Sequence, residues 1–350
     1  MKNNKLLDLK KRISLAGYVL RTGQAPLRSR RDIPAITPEE VTEAKAFFQM
    51  PKFFIFGHAR SGTTLLTRLI RLHPEIHCNY QAHFFTRQPL LQALVSDEVI
   101  GEWLSRRSNR WNRGRDLSPV VLRAAADFIL ERDARREGKH IVGDKSPNSL
   151  LEDESVRLVQ KVYPEAQLIV IIRDGRDMAV SHRFQSFIDA AQHLNREDLR
   201  IRDDFSRDAG LFLSGRRSIF TDRAIRSAAS GWARNVTETD KVAQQLFGER
   251  YLNLRYEDLL ERPQAELERI WTFLGVYREG KGLAEAVIAE LGSNPDADWQ
   301  KHKAGELVEP LEKGKQGSWR NLFTARDRLT FKEMAGQALI TWGYEQNLDW

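Results

Sequence analysis

The run Leu168-Ile169-Val170-Ile171-Ile172 is apolar at every position and mostly β-branched. With no polar alternation, it predicts a strand over Gln167–Ile172 that is covered on both faces, as in a parallel sheet. Lys52-Phe53-Phe54-Ile55-Phe56 predicts a second buried strand, followed by a helix from about Thr63 to Leu72 that stops at His73-Pro74. Shorter runs predict strands at His140–Val142 and Tyr251–Arg255. Helical spacing predicts helices over about Leu150–Val162, Ala228–Leu246, Pro263–Leu274 and Ala325–Trp342, with Gly275 and Gly343 as stops. An earlier helix starts near Thr37-Pro38-Glu39-Glu40, a capped N-terminus. Strands alternating with helices define the expected fold class: α/β, with a doubly wound, mainly parallel sheet flanked by helices.

Residues 1–50 read as a basic N-terminal arm and helix, and 51–350 as a single α/β domain. Within that domain the Arg-rich stretch 97–140 and the polar stretch 189–225 read as insertion-like, and 276–320 as loosely structured. There is no internal repeat and no low-complexity tract.

Composition narrows the chemistry only in part. The 350 residues carry Lys+Arg 55 against Asp+Glu 48, a net charge of +7 that suits anionic ligands without choosing among them. The single cysteine, Cys78, excludes an intrachain disulfide and reads as an inert buried thiol in a reducing, cytoplasmic setting. No apolar run reaches the eighteen or so residues of a membrane span. The basic N-terminus reads either as a solvated arm or as an amphipathic helix touching an anionic membrane.

The strand at 52–56 leads into Gly57-His58-Ala59-Arg60-Ser61-Gly62-Thr63-Thr64. A strand, a Gly-bounded loop and a helix start bring backbone N–H groups and a positive helix end to one anion. The loop is P-loop-like, with Gly57 and Gly62 in the G-x-x-x-x-G frame, but Thr63 stands where the lysine of a nucleoside triphosphatase belongs. A P-loop kinase also requires an acid at a strand end for Mg²⁺, and the best buried strand ends in Arg173. Arg173 at that strand end and Ser181 two helical turns on can clamp a phosphate, or Arg173 can serve as a structural ion pair. Tyr256, ending the strand 251–255, offers an aromatic face for a base, or a core contact. Glu312-Lys313-Gly314-Lys315-Gln316-Gly317-Ser318-Trp319 reads as a basic loop able to close over an anion.

Together these segments resemble the sulfotransferase superfamily that uses 3′-phosphoadenosine 5′-phosphosulfate (PAPS), in motif style nearest its tyrosylprotein, heparan-type and bacterial branches. Ala59-Arg60-Ser61-Gly62-Thr63-Thr64 matches the family's 5′-phosphosulfate loop, and Arg173 with Ser181 its 3′-phosphate clamp. Lys313-Gly314 through Phe323 match its late loop, and Tyr256 its adenine-contacting tyrosine. The resemblance implies a nucleotide-binding core, PAPS as donor co-substrate, no metal, and an acceptor that is a small molecule, glycan, lipid or peptide rather than nucleic acid. It also implies roles: Arg60 on the moving sulfuryl group and Lys145, in Gly143-Asp144-Lys145-Ser146-Pro147, on the bridging oxygen. The family's catalytic Glu falls on Gln81, whose neutral amide cannot take a proton. His83 is the expected substitute base, against a reading as a packed core histidine, with His58 and Asp144 in reserve. Arg106 to Arg115, interleaved with Trp111, reads as an acceptor-reading surface or as a solvated loop. A binding module that has lost its base is the alternative to an active enzyme.

Overall fold

The computed structural model describes residues 13–14, 16–17, 20, 31–106, 108, 110–276, 281–293 and 316–350. Five parallel strands, β1 (Lys52–Phe56), β2 (Ile76–Tyr80), β3 (Ile141–Lys145), β4 (Gln167–Ile172) and β5 (Tyr251–Arg255), form one sheet in the order β2-β3-β1-β4-β5. The chain starts at the centre, visits one side and then the other, so both faces acquire helices. Eight of them matter here: α1 (Pro38–Phe47), α2 (Thr63–Ile70), α3 (Ser118–Arg136), α4 (Glu152–Val162), α5 (Gly175–Asp189), α6 (Asp222–Phe247), α7 (Pro263–Phe273) and α8 (Ala325–Thr341).

The apolar runs explain this two-sided covering. In β1, Phe53 and Ile55 pack with Leu66, Leu69 and Ile70 of α2 and Ile270 of α7. Phe54 and Phe56 belong to the opposite core, with Leu130 of α3, Val159 of α4, Trp232 of α6 and Phe331 of α8. β4 alternates likewise, Ile169 and Ile171 to one face and Leu168, Val170 and Ile172 to the other. Period-two alternation thus persists although every position is apolar, because both sides are interior. Thr37 caps α1 in a reciprocal capping box with Glu40, as its sequence predicts.

Register sets the level of the site. Phe56 pairs with Val170, so β4 runs two residues past the end of β1 and delivers Arg173 beside the loop that leaves β1.

Two expectations are corrected, and one strand, β2, was not predicted. β2 was not legible because His77 and Asn79 break the apolar pattern, yet both are satisfied: His77 lies 2.9 Å from Glu137, and the Asn79 amide donates to the Leu130 and Gly143 carbonyls. β3 covers Ile141–Lys145 rather than His140–Val142, because Gly143, Asp144 and Lys145 pair with both β1 and β2 despite their polarity. Gly143 is needed there, since a Cβ would stand 2.5 Å from the Phe53 ring. The stretch read as loose contains a helix, Lys281–Gly292, with Val287 buried. Within the stretches read as insertion-like, Leu122, Ala126 and Leu130 of α3, and Phe205 and Phe212 beyond α5, lie in the core.

Candidate functional site

β1 ends in Gly57, and the loop Gly57–Gly62 opens α2 at Thr63. Gly62 adopts φ 91, and no side chain caps the helix, so its first N–H groups open toward the loop. Gly62 has a second reason to lack a side chain: a Cβ would lie 2.2 Å from the Tyr256 ring. Arg60 is also left-handed, at φ 74, a conformation a non-glycine residue keeps only when its surroundings hold it.

Two sets of side chains meet this loop. On the β4 side, the Arg60 Nε donates to the Ser181 hydroxyl at 3.1 Å, and the Arg173 guanidinium donates to the Arg60 carbonyl at 3.3 Å. Arg173 lies over the Tyr256 ring, 4.8 Å from its centroid. On the β3 side, the Lys145 ammonium lies 3.2 Å from the Thr64 hydroxyl and 5.3 Å from the Tyr80 ring centroid. Burial is the main influence on Lys145 and lowers its pKa. Ser61 sits between, fully buried, and its hydroxyl has no partner among the described residues.

Arg60, Ser61, Gly62, Thr63, Thr64, Lys145, Arg173, Ser181 and Tyr256 thus occupy one region at the C-terminal ends of β1, β3, β4 and β5. Tyr256 forms a core contact, the second of its two readings. Only 6% of it is exposed, since Gly62 and Arg173 cover it, so it wedges the loop against β5 rather than presenting an open aromatic face. Lys313 and Gly314 lie outside the described residues. Residues 317–319 of that loop dock on α5: the Asp177 carboxylate accepts from the Gly317 and Trp319 N–H groups at 2.6 and 3.1 Å and from the Ser318 hydroxyl at 3.0 Å.

The turn after β2 faces β3. Gln81 is exposed, whereas His83 is partly buried and hydrogen-bonded through Nδ1 to the Thr86 hydroxyl at 2.8 Å. Phe84 and Phe85 enter the core beside it. Burial, then the neighbouring Arg87 and Lys145, hold the His83 imidazole below its ordinary pKa and so favour the neutral, proton-accepting form. Asp144 is buried at the end of β3 and its carboxyl is pushed up to about 6, chiefly by that burial. His58 bonds its own loop through the Ala59 carbonyl at 3.0 Å, and burial lowers its pKa. Cys78 is fully buried and its thiol is driven far up by burial, as expected of an inert thiol.

Sequence reasoning missed Asn148. Wholly buried, it accepts from the Gly57 N–H at 3.2 Å and donates to the Thr239 hydroxyl at 2.9 Å, pinning the start of the loop to α6. It also missed Asp177 and Tyr80; the acid two helical positions past Gly175 and the aromatic at a strand end were the available signals. In the Arg-rich segment, Trp103 and Trp111 stack in the open, centroids 5.0 Å apart, while Arg106 pairs with Glu102 and Arg115 with Glu43. Among the described residues no group of three or more His, Cys, Asp or Glu side chains is placed to hold a metal ion, and no helix is long and apolar enough to cross a membrane.

A parallel sheet whose central strand passes through an uncapped Gly-bounded loop into a helix defines an α/β protein of the P-loop-like class. The sequence profile of the sulfotransferase family matches residues 51–279, and the chain belongs to that family. It is 25% identical over 313 residues to nodulation protein NoeE of Sinorhizobium fredii (strain NBRC 101917 / NGR234), covering 84% of this chain and 66% of that protein. It is 22% identical over 268 residues to protein-tyrosine sulfotransferase A of Caenorhabditis elegans, covering 75% of this chain and 59% of that one. The chain therefore spans less than two thirds of the length of either relative. Among solved structures, the sulfotransferase domain of the Synechococcus PCC 7002 olefin synthase aligns with TM-score 0.46 and 19% identity, covering 91% of this chain and 99% of that one.

Proposed function

We propose that this chain is a sulfotransferase that moves a sulfuryl group from PAPS to a hydroxyl, less readily an amine, of its acceptor. The observation that carries the reading is the Arg60–Ser181 contact, with Arg173 on the Arg60 carbonyl. It joins two segments 121 residues apart into one cationic cluster at the strand ends. The donor bears a 3′-phosphate and a 5′-phosphosulfate, roughly four negative charges, and such a cluster beside an open helix N-terminus suits it. The buried Ser61 hydroxyl, without a partner among the described residues, fits the same ligand, because it lacks only an oxygen to bond.

In this reading Arg173 and Ser181 hold the 3′-phosphate, while the backbone of Ser61, Gly62, Thr63 and Thr64 holds the 5′ end. Lys313 and Gly314 would close over the nucleotide. Transfer of a sulfuryl group parallels phosphoryl transfer, in which positioning and charge neutralisation dominate. The acceptor oxygen bonds to sulfur as the bond from sulfur to the bridging phosphate oxygen breaks. Lys145 neutralises that leaving oxygen, His83 takes the acceptor proton, and 3′-phosphoadenosine 5′-phosphate departs. Gln81, exposed beside His83, is left to orient the acceptor.

The neutral amide of Gln81 also favours a second reading, a module that binds the donor and transfers nothing. Calorimetry with 3′-phosphoadenosine 5′-phosphate and with ADP, both without Mg²⁺, tests the donor site. Tenfold or greater preference for the former is expected, since one charge-assisted contact contributes about 1.5–3 kcal/mol. Equal affinity overturns the donor assignment. Transfer of ³⁵S from labelled PAPS across a panel of hydroxyl and amine acceptors then separates the enzyme from the silent module.

A further inference from the structure

The turn Gln81-Ala82-His83 carries two left-handed non-glycine residues, Gln81 at φ 56 and His83 at φ 53. Such backbone persists only where the surroundings over-determine it, and here the end of β3 does so residue by residue. The Gln81 N–H donates to the Lys145 carbonyl at 2.7 Å, the Ala82 N–H to the Asp144 carboxylate at 3.0 Å, and the His83 N–H to the Ser146 hydroxyl oxygen at 3.0 Å. The Ser146 hydroxyl in turn donates to the other Asp144 oxygen at 2.6 Å. Asp144 and Ser146 are both buried, 2% and 1% exposed, so water cannot replace a lost partner.

We propose that Asp144 is the positioning residue of the acceptor side: its carboxylate bridges Ala82 and Ser146 and thereby fixes where Gln81 and His83 stand relative to Lys145. That this turn receives an acceptor rests on the function proposed above; the clamp itself does not. The arrangement also ties the two halves of the site together. Lys145 holds Gln81 with its carbonyl and touches Thr64 of the donor helix with its ammonium. A turn that slips relative to β3 therefore slips relative to the donor loop.

The charge of Asp144 is not needed for the geometry, only its acceptor oxygens. An asparagine keeps one acceptor for the Ala82 N–H and turns its NH₂ toward Ser146, whose oxygen can accept it. A leucine of similar size leaves the Ala82 N–H unpaired in the interior.

The test uses the full chain and the variants Asp144→Asn, Asp144→Leu and Ser146→Ala, with amide hydrogen exchange read residue by residue and the His83 imidazole titrated, both by NMR. In Asp144→Leu, exchange across residues 79–86 should rise about tenfold or more, because local opening replaces a held turn. The His83 titration should move up toward the ordinary imidazole value of about 6.5 as burial is lost. Asp144→Asn should stay within about threefold of the parent, and exchange in β1 and β4 should be unchanged in both. Ser146→Ala should free the His83 amide while sparing that of Ala82, and it answers the question if Asp144→Leu fails to fold. Unchanged exchange at 79–86, or a rise spread evenly over β1 and β4, overturns the proposal. Binding of 3′-phosphoadenosine 5′-phosphate by the parent is measured alongside. A chain that keeps the clamp but ignores the nucleotide would defeat the proposed function and leave this inference standing.

Discussion

The Lys145 ammonium lies 3.2 Å from the Thr64 hydroxyl, linking the end of β3 to the first turn of α2. Lys145 is 1% exposed, and burial lowers its pKa because water no longer solvates the ammonium. A group of this kind acts most strongly on charge that develops during reaction. Lys145→Ala should therefore cost roughly 10²–10³-fold in kcat while leaving the affinity for 3′-phosphoadenosine 5′-phosphate within a few-fold. Steady-state kinetics and calorimetry together check this. A raised donor KM with unchanged kcat would remove Lys145 from the leaving-group role.

Arg60 and Arg173 should behave as a pair. Their contacts to Ser181 and to each other put both on the β4 side of the loop. Each Ala variant should weaken nucleotide binding by about 1.5–3 kcal/mol, and the double variant should lose less than the sum because the residues share partners. Arg173→Lys should recover little, since Lys lacks the planar fork that reaches a carbonyl and an aromatic ring at once. Isothermal titration of the parent and the four variants is the measurement; strict additivity would mean the two arginines act on separate sites.

Gly62→Ala should damage both fold and site. The new Cβ meets the Tyr256 ring at 2.2 Å, and φ 91 is unfavourable for any side chain. A loss of about 2–4 kcal/mol in urea unfolding is expected, with nucleotide binding lost in whatever remains folded. Adding Tyr256→Ala should relieve the clash and return part of the stability, leaving the backbone strain. If the double variant were no more stable than Gly62→Ala, the ring contact would not be the cause.

Asp144 gives a pH dependence of defined sign. Its folded pKa of about 6 lies above the ordinary carboxyl value, so the folded protein binds this proton more tightly than the unfolded chain. Its contribution to stability is complete below about pH 4 and is lost as pH rises through the folded value, by about 3 kcal/mol in all. Asp144→Asn should therefore be more stable than the parent near pH 8, and the gap should close toward pH 4. Urea midpoints at several pH values decide it. An asparagine variant less stable than the parent near pH 8 would mean that the carboxylate's bonds to Ala82 and Ser146 outweigh its burial.

His83 should show in the pH–rate profile. Because its pKa is lowered, activity should persist to a lower pH than an ordinary imidazole of about 6.5 allows. His83→Ala should cost roughly 10²–10⁴-fold in kcat, and Gln81→Glu should be tolerated. A mild His83→Ala beside an inactive His58→Ala would move the proton acceptor into the donor loop.

The sequence by itself determined the sheet class, because β1 and β4 are apolar at nearly every position and only a doubly covered parallel strand accommodates that. It also determined the loop, since Gly57, Gly62 and the run Thr63-Thr64-Leu65-Leu66 carry their conformational and helical signals locally. The tertiary structure alone decided what depends on register. β2 and the second half of β3 are written in His, Cys, Asn, Gly, Asp and Lys, residues that become strand only when neighbouring strands satisfy them. The same holds for the meeting of Arg60 with Ser181, for the burial of Tyr256 against Gly62, and for the clamp of Asp144 on the turn at 81–83. Local preference acts over a few residues, whereas these contacts are set by which strand ends the sheet brings level, and no short stretch of chain encodes that.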